Sequence, residues 1–327
     1  TAGRIVEYVR WMENSAHSSG VETLRMVADG QAEALEFIVR AESQFLDVPL
    51  KALKLKDSVL VASIIRRGKC RVPSGNDAIE LGDRLVVATG AEPFVPPVPG
   101  TDLPGVFCMR TPDDACGLRD YADERGARRA VVVGAGFIGL ECAEGLLARG
   151  ISVTVVDAMP QILPHVFDPE IAGFAKRQLK AAGVRVVNGA SLTGVTGSGR
   201  VEAVETSAGT FPADVVVLAI GIRPATAWLE GSGVELHKGT VVVDEYGATN
   251  LEDVYAAGDC AEVRNAITGA PQWSAMGSTA NIAARAIART LTGTPTPYPG
   301  VLGTGVVRLL PTLNAGRTRL TQAGARA

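Results

Sequence analysis

One glycine-rich loop, placed between an apolar strand pattern and a helical pattern, constrains the fold of this chain more than any other feature. The loop spans residues 134–139, reads Gly-Ala-Gly-Phe-Ile-Gly, and directly follows the apolar run 130–133. Gly134 permits a tight turn, Gly136 lets the backbone approach a pyrophosphate, and Gly139 lets the helix pack close to the strand. The N–H groups at the start of such a helix attract phosphate. The loop therefore predicts a dinucleotide site.

A carboxylate at the end of the next predicted strand supports the same interpretation. Asp157 follows the apolar residues 153–156. It lies about 20 residues beyond the loop, where an acid accepts a hydrogen bond from the ribose 2′-hydroxyl. Because an acid there repels a 2′-phosphate, the sequence favours NADH over NADPH. The alternative, a glycine-rich turn with a purely structural role, stays open.

The residues around the loop alternate between helix and strand patterns. Residues 138–149 predict a helix, and residues 184–187 predict a further strand. Between them Asp168 caps a second predicted helix, with Ile171, Phe174, Ala175 and Leu179 on one face. Such alternation predicts an α/β fold with a parallel sheet and right-handed crossovers.

Composition and charge argue against several classes of function. The 327 residues suffice for two or three domains, and a formal net charge of −3 without a basic run argues against a nucleic-acid partner. The apolar runs are much shorter than the roughly 20 residues that a membrane span needs. Five cysteines without a Cys-x-x-Cys pair or a secretion signal predict reduced thiols in a cytoplasmic protein. The scattered cysteines and histidines predict no metal site, and the first residue, Thr1, favours a fragment or a processed chain.

A second motif spans residues 253–260. A short strand pattern there delivers Gly258 and Asp259 at its end, where a carboxylate can accept hydrogen bonds from a polyol such as the ribityl chain of a flavin. An ordinary strand-to-helix turn capped by Asp259 explains the same residues equally well. Alone, the motif does not choose between these alternatives.

Five motifs in a fixed order cover roughly the last three quarters of the chain: residues 85–90, 134–141, 219–224, 255–260 and 300–304. With these motifs the chain, from about residue 82 onward, resembles the FAD-dependent pyridine nucleotide-disulfide oxidoreductases. The resemblance is strongest to their branch of coenzyme A-disulfide reductases and NADH oxidases.

The resemblance implies a role for each matching residue. NADH binds at the glycine loop, with Glu141 near the nicotinamide and Phe137 as the aromatic gate between nicotinamide and flavin. Thr89-Gly90 and Gly258-Asp259 contact FAD, and Met276-Gly277 lies near the isoalloxazine. The complete set of implied cofactor-binding residues is Gly134, Gly136, Phe137, Ile138, Gly139, Glu141, Asp157, Gly221, Thr89, Gly90, Gly258, Asp259, Met276 and Gly277.

Two features of that family have no counterpart in the sequence. No second glycine fingerprint precedes residue 82, and the redox cysteine of that branch is missing there. Cys142 lies on the predicted fingerprint helix, and we interpret it as a packed residue rather than a nucleophile. The sequence therefore assigns no catalytic residue, and it predicts weak FAD binding and little turnover of any disulfide.

A different set of motifs occupies residues 1–88, at 5–10, 33–37, 48–53, 64–68 and 72–77. With them this segment resembles the RCK C-terminal regulatory domain of Trk-type potassium-uptake proteins. The resemblance implies a dimer that regulates a membrane potassium transporter, and the alternative is a small α+β core without that role. Because residues 82–89 fit both families, we hypothesise that two unrelated partial proteins are joined there.

Together these patterns predict a Rossmann-like FAD/NAD(P)-binding α/β fold, preceded by a small α+β domain of regulatory type. The predicted function is an NADH-dependent flavoprotein oxidoreductase, a homodimer whose other partners are its small-molecule cofactors. It passes hydride from NADH to FAD and then to a disulfide or oxygen. The alternative function is a non-catalytic potassium-transport regulator with a nucleotide-sensing domain. The predicted divisions are 1–88 regulatory domain, 89–129 Pro-rich connector and partial FAD domain, 130–212 NADH domain, 213–291 return segment to the FAD domain, and 292–327 truncated start of a dimerisation domain.

Overall fold

The computed structural model describes residues 26–27, 32–33, 47–52, 64–66, 69–71, 74–78, 88–164, 166–251, 254–291 and 294–326. The chain divides into two compact units. The first contains residues 1–91 and 224–302, and the second contains residues 92–223 and 303–327. Most of the motifs by which residues 1–88 resemble a potassium-uptake regulator lie outside the described residues, so that resemblance stays a prediction.

Short strands and a few helices make up the described residues. The strands are β1 Met26–Val27, β2 Ala32–Glu33, β3 Ile64–Arg66, β4 Lys69–Arg71, β5 Ala91–Pro93, β6 Val106–Cys108, β7 Arg129–Val133, β8 Ser152–Asp157, β9 Arg185–Asn188, β10 Leu192–Thr196, β11 Ala203–Thr206, β12 Gly209–Pro212, β13 Val215–Leu218, β14 Ile222–Pro224, β15 Leu236–His237, β16 Thr240–Val241, β17 Glu262–Arg264, β18 Pro271–Trp273, β19 Gly305–Leu310 and β20 Leu313–Arg317. The α-helices are α1 Pro112–Arg125, α2 Phe137–Ala148, α3 Pro169–Ala181, α4 Gly277–Leu291 and α5 Gln322–Arg326. None of these helices of the described chain has both the length and the apolar character needed to cross a membrane.

A five-stranded parallel sheet forms the centre of the second unit. Its order is β6-β13-β7-β8-β9, and each neighbouring pair is parallel. Side chains of β7 and β13 alternate between two apolar clusters, one on each face of the sheet. Both faces are therefore covered, which is why these strands read as unbroken apolar runs. The predicted α/β fold with a parallel sheet is confirmed.

The two helices that follow β7 and β8 begin at or within one residue of their predicted starts. Helix α2 begins one residue earlier than predicted, and α3 begins at Pro169 as predicted. The predicted apolar face of α3 is only partly buried. Ala175 and Leu179 face the core, together with Ala172, whereas Ile171 and Phe174 are 52% and 46% exposed. The helix thus packs through two alanines and one leucine, and Ile171 and Phe174 turn outward.

A hairpin from the end of the chain packs onto helix α2. Strands β19 and β20 are antiparallel, and Val307 and Leu309 are buried in the same apolar cluster as Leu140 of α2. On the surface beside them, the Arg308 guanidinium lies 3.2 Å from the Glu144 carboxylate of α2. Residues 303–327, predicted to begin a dimerisation domain, therefore belong to the same compact unit as the glycine loop.

The Pro-rich segment before α1 is packed against the second unit. Pro99 and Pro104 accept hydrogen bonds from the backbone N–H groups of Val195 and Val201, both at 2.9 Å. Strand β6 then pairs with β13 and completes one edge of the sheet. The compact units divide at residues 91/92, 223/224 and 302/303. The sequence placed its divisions at 88/89, 129/130, 212/213 and 291/292.

The described residues of the first unit form antiparallel strand pairs, helix α4 and a small core. The pairs are β1-β2, β3-β4, β15-β16 and β17-β18. Leu229, Val234, Val241, Ala256 and Cys260 pack together in an apolar cluster. A 3-10 turn at Gly258–Cys260 lies within this cluster, so the second sequence motif is part of a packed core.

Candidate functional site

The glycine loop lies at the point where the order of the parallel strands reverses. After β7 the chain runs through α2 to β8 on one side, whereas β13 enters on the other side of β7. The ends of β7 and β13 touch, because Ala219 N–H donates to Val133 O at 2.7 Å. Gly134 has φ +107°, and a Cβ on it would lie 2.2 Å from Ala219 O. Open α/β sheets bind ligands in the crevice at such a reversal.

The N-terminus of helix α2 presents free hydrogen-bond donors beside an open space. Gly136 occupies the N-cap position in an extended conformation, and no side chain caps the helix among the described residues. Leu140 N–H makes the first intrahelical hydrogen bond, to Gly136 O at 3.1 Å. The preceding three N–H groups of the helix are therefore available to a ligand. A Cβ on Gly136 would meet nothing within 4 Å, so this side of the loop is open.

Gly139 lets helix α2 lie directly on the loop. A Cβ on this residue would stand 2.0 Å from Gly134 O and 3.3 Å from the Ala219 Cβ. The absence of a side chain at the third glycine of the motif thus serves close packing of helix and loop, as the sequence predicted for it.

Asp157, at the end of β8, holds the glycine loop in place. Its Oδ2 accepts a hydrogen bond from Ala135 N–H at 2.5 Å, and its Oδ1 accepts one from Met159 N–H at 2.7 Å. A carboxylate offers about four acceptor positions, so two remain for a ligand hydroxyl. The residue therefore has a structural role that the sequence did not reveal, and it keeps capacity for the predicted one.

The side chain of Phe137, the first residue of α2, packs against the hairpin. Its Cζ and Cε2 atoms lie 3.1 and 3.3 Å from the position that a Cβ on Gly305 would occupy. Ile138 and Glu141, also assigned to the cofactor site, are both exposed on α2. The ring of Phe137 is partly buried and packs against the apolar cluster that contains Leu140 and Val307.

Comparison with known proteins assigns this arrangement to a family. The model of the family described as pyridine nucleotide-disulphide oxidoreductase matches residues 19–280. The chain belongs to this family. The match includes residues 19–88, most of the segment predicted to be a potassium-uptake regulatory domain, and it gives that resemblance and the predicted junction no support.

Two relatives in this oxidoreductase family are similar to this chain in sequence, and a solved structure is similar to it in fold. An NADH oxidase of Methanocaldococcus jannaschii is 37% identical over 77% of this chain and 56% of its own length. A CoA-dependent NAD(P)H sulfur oxidoreductase of Pyrococcus abyssi is 37% identical over 73% of this chain and 54% of its own. The structure of an NAD-dependent persulfide reductase from A. fulgidus superposes with a TM-score of 0.72 at 34% identity, covering 81% of this chain and 48% of its own. The chain spans about half the length of the curated relatives that it matches.

The residues that the family resemblance assigns to flavin all belong to the first unit, whereas the glycine loop belongs to the second. Thr89 Oγ1 donates to Ala225 O at 2.8 Å, and Gly90 O accepts from Ala225 N–H at 2.9 Å. Gly90 has φ +66°, a conformation that favours glycine. The pair therefore fixes the backbone of residues 89–90 to the return segment.

Asp259 is a half-buried carboxylate whose charge has little local compensation. Burial raises the pKa of Asp259 above its ordinary value. Its backbone oxygen accepts from the Trp273 indole N–H at 2.8 Å, but no described residue hydrogen-bonds its carboxylate. A ligand hydroxyl would satisfy such a group.

The remaining assigned residues bracket the starts of α4 and β14. Met276 O accepts from Ala280 N–H at 3.0 Å, and Gly277 is the first residue of α4. Gly221 belongs to the second unit, has φ +126°, and accepts from Phe94 N–H through its carbonyl. The assignments of these three residues to cofactor contacts stay predictions.

Cys142 and Cys260 are packed in apolar surroundings. Burial, with a smaller contribution from the Glu141 carboxylate, raises the pKa of Cys142 to about 11. Cys260 is fully buried, and its thiol donates to Ala257 O at 3.2 Å. A thiol with a raised pKa is a poor nucleophile, which agrees with the interpretation of Cys142 as a packed residue.

Three positions near the site have no signal of function in the sequence. Ala135 donates to Asp157, and Gly305 gives room to Phe137. Asn188 stands opposite Asp157 in the β8-β9 register, and its Nδ2 is buried without a partner among the described residues.

Proposed function

We propose that this chain is part of an NADH-dependent flavoprotein oxidoreductase that delivers reducing equivalents to a disulfide or to oxygen. One observation carries the proposal: uncapped N–H groups of α2 face the open space beside Gly136 at the reversal of a parallel sheet. Hydride transfer is the chemistry that NADH and FAD supply when bound. The residues of the chain bind and orient these groups.

The pyrophosphate of NADH would lie against the start of α2. The free N–H groups of Phe137, Ile138 and Gly139 are donors for its oxygens, and the helix dipole adds a partial positive charge there. Because Gly136 has no side chain, the phosphate can approach the backbone closely. This arrangement needs no basic residue, in keeping with the absence of any basic run in the loop itself.

The adenosine of NADH would lie along the ends of β8 and β9. Asp157 has acceptor capacity for the ribose hydroxyls and repels a 2′-phosphate. Asn188 Oδ1 accepts from Lys176 Nζ at 2.5 Å, which leaves its buried Nδ2 as a donor without a partner in the described chain. An acceptor atom of the adenosine would satisfy this donor beside Asp157.

A structural neighbour supports NADH over NADPH. An engineered water-forming NADPH oxidase bound to NADPH, 26% identical to this chain with a TM-score of 0.68, carries five substitutions of an NADH oxidase. The five original residues have the same identities and the same mutual spacing as a set of residues in this chain. That set is Gly139, Asp157, Ala158, Met159 and Pro164.

The described residues also fit part of a flavin. The half-buried Asp259 carboxylate is the acceptor that we assign to the ribityl hydroxyls, and its missing partner supports this role. Thr89, Gly90, Met276 and Gly277 are proposed contacts from the same unit. We assign none of the described residues to the ADP half of FAD, and the expectation of weak flavin binding stays a prediction.

Binding experiments with the full chain test the proposal. Calorimetry should detect NADH binding and a weaker response to NADPH, and the absorbance spectrum between the near ultraviolet and blue should report retained flavin. In Gly136→Ala the new methyl group meets no protein atom, so the chain should fold while its NADH affinity falls at least about tenfold. Gly145→Ala, on the exposed side of α2, is the matched control. Absence of heat with NADH in the unmodified chain would overturn the proposal.

Other expectations receive less support. We propose a cytoplasmic location, because Cys108, Cys116, Cys142 and Cys260 are all free thiols. Homodimerisation rests on resemblance alone. The alternative function in potassium transport has no favourable observation among the described residues or the relatives, and we do not pursue it.

A further inference from the structure

A cleft opens in the second unit at the end of β7 that lies opposite the glycine loop. Arg129 is the first residue of β7 and Val133 is the last, so about 13 Å of strand separates the two ends. The cleft has a volume of about 390 Å³, and all of its lining residues belong to this unit. It is therefore separate from the proposed NADH site. Its lining includes four arginines: Arg125, Arg128, Arg129 and Arg200.

The cleft is positively charged, although the chain as a whole has a formal net charge of −3. Two carboxylates, those of Glu202 and Asp214, line it beside the four arginines, which leaves a net charge of +2 in the lining. A concave surface lined mainly by one sign of charge concentrates its potential and attracts ions of the opposite sign. The cleft therefore favours an anionic ligand.

One of the two carboxylates is already neutralised within the protein. Asp214 Oδ2 accepts from the backbone N–H groups of Arg128 and Arg129 at 3.0 and 2.9 Å. Its Oδ1 accepts from Arg129 Nη2 at 2.7 Å. This ion pair fixes the start of β7 and cancels one positive charge, so the net charge of the cleft comes from the other three arginines.

Those three arginines have no carboxylate partner among the described residues. The Arg125 guanidinium lies over the Tyr121 ring, 5.8 Å from its centroid. The side chains of Arg128 and Arg200 make no hydrogen bond or ion pair within the described chain, and the Glu202 carboxylate makes none either. Like charges around one concavity repel one another, and a bound polyanion would relieve that repulsion.

The backbone that carries these side chains is fixed on both sides of the cleft. Gly126 ends α1 in a left-handed conformation, with φ +59°. The carbonyl of Pro104 accepts from the Tyr121 hydroxyl at 3.3 Å and from Val201 N–H at 2.9 Å. One oxygen thus joins the wall formed by α1 to the wall that contains residues 200–202. Because this frame forms without a ligand, little backbone order would be lost on binding.

We propose that this cleft binds a small molecule that carries two or more linked phosphate groups. Guanidinium groups donate paired hydrogen bonds to phosphate oxygens and stay charged at physiological pH. Three unpaired guanidinium groups supply more donors than a single phosphate can use. The volume of the cleft is in the range of small-molecule sites. The proposal does not rest on the proposed NADH site, which lies at the other end of the sheet.

Tripolyphosphate is the probe for the first test, because it carries linked phosphates without a nucleoside. Calorimetry with the full chain should detect binding that weakens as the salt concentration rises. The double variant Arg128→Ala, Arg200→Ala should weaken this binding at least about tenfold. Both side chains are exposed, so the thermal midpoint should stay unchanged.

The matched control is the double variant Arg110→Ala, Arg177→Ala. It removes the same charge from exposed positions of the second unit that do not line the cleft, and it should change the affinity by less than about twofold. Absence of tripolyphosphate binding in the unmodified chain, or equal losses in the two double variants, would overturn the proposal. Tripolyphosphate held at the start of α2 would keep its affinity in the cleft variant, and that result overturns it too.

A further variant should change the affinity in the opposite direction, which a folding defect would not do. Glu202→Gln removes the unpaired carboxylate from the cleft, so tripolyphosphate should bind about threefold more tightly. Unchanged or weaker binding would contradict the proposal.

ATP identifies the source of the phosphate groups. Tighter binding of ATP than of tripolyphosphate, lost in the cleft variant, indicates a nucleotide as the ligand. Equal binding, also lost in that variant, indicates recognition of the phosphate chain alone, and both results support the proposal. Failure of the chain to bind NADH would overturn the proposed function and leave this cleft to be decided by the tripolyphosphate measurements.

Discussion

The Asp157 carboxylate accepts a hydrogen bond from the backbone N–H of Ala135, inside the glycine loop, at 2.5 Å. The residue that the sequence assigns to a ribose is therefore also the residue that fixes the loop at the reversal of the sheet. Its second oxygen accepts from Met159 N–H, so the turn after β8 is held by the same side chain. The proposed recognition of the sugar and the shape of the proposed phosphate site are therefore coupled through one carboxylate.

Replacement of Asp157 by Asn should weaken both functions. The neutral amide offers one acceptor oxygen where the carboxylate offers two, so one loop N–H loses its partner. We expect the free energy of unfolding to fall by about 1–2 kcal/mol and the NADH affinity to fall about tenfold. Asp168→Asn is the control, because Asp168 also accepts from a backbone N–H, that of Gln322, but lies outside the proposed site. An unchanged NADH affinity in Asp157→Asn would contradict the ribose assignment.

Making the five substitutions of the engineered NADPH oxidase at the matching positions of this chain should reverse its expected preference for NADH over NADPH. The combined variant Gly139→Ala, Asp157→Ala, Ala158→Arg, Met159→Ser and Pro164→Arg removes the repelling acid and adds two guanidinium groups for a 2′-phosphate. We expect NADPH to bind at least about tenfold more tightly than NADH, measured by calorimetry. Because a Cβ at 139 would stand 2.0 Å from Gly134 O, helix α2 must shift slightly. The variant that keeps Gly139 separates this shift from the change in charge, and a retained preference for NADH in both would refute the prediction.

Gly134→Ala should destabilise the second unit strongly. The substitution combines a left-handed φ of +107° with a Cβ only 2.2 Å from Ala219 O. The expected cost is about 2–4 kcal/mol in the free energy of unfolding, followed by chemical denaturation. Gly145→Ala, in the middle of α2 with open space around its Cβ, should instead stabilise the chain by up to about 1 kcal/mol. Similar effects of the two substitutions would show that the contact between Gly134 and the end of β13 is not tight.

The Cys142 thiol should resist alkylation at ordinary pH. Because its pKa is raised to about 11, its thiolate fraction at pH 8 is only about one in a thousand, and burial limits access further. Modification should increase as the pH rises toward 11, since the thiolate is the form that reacts. Mass spectrometry after iodoacetamide treatment should find Cys116, which is exposed, labelled well before Cys142. Rapid labelling of Cys142 at pH 7 would reopen its role as a nucleophile.

The sheet and the loop could be predicted because their signals are local. Buried parallel strands read as apolar runs, and the glycines of residues 134–139 have a fixed spacing on either side of a turn. Strand β6 escaped prediction, because it has only three residues and follows a Pro-rich segment that resembles a connector. The exposed positions of Ile171 and Phe174 escaped as well, since periodicity alone does not tell which apolar stripe the neighbouring elements cover.

Contacts between residues distant in sequence could not be read from it. Ala135 and Asp157 are 22 residues apart, and Asp168 and Gln322 are 154 apart. Gly305 belongs to no sequence motif, and its contact with the Phe137 ring exists only because the hairpin packs against α2. Each of these contacts depends on tertiary packing, so the site was predicted in outline and its supporting contacts were not.

The hairpin β19–β20 makes the second unit discontinuous along the chain. Residues 303–327, which pack against α2, are separated from the rest of the second unit by residues 224–302 of the first unit. During synthesis the ribosome releases the glycine loop long before it releases Val307 and Leu309. One apolar flank of α2 therefore stays exposed until residues 303–327 have been synthesised. During that interval the exposed flank is a surface to which a chaperone would bind.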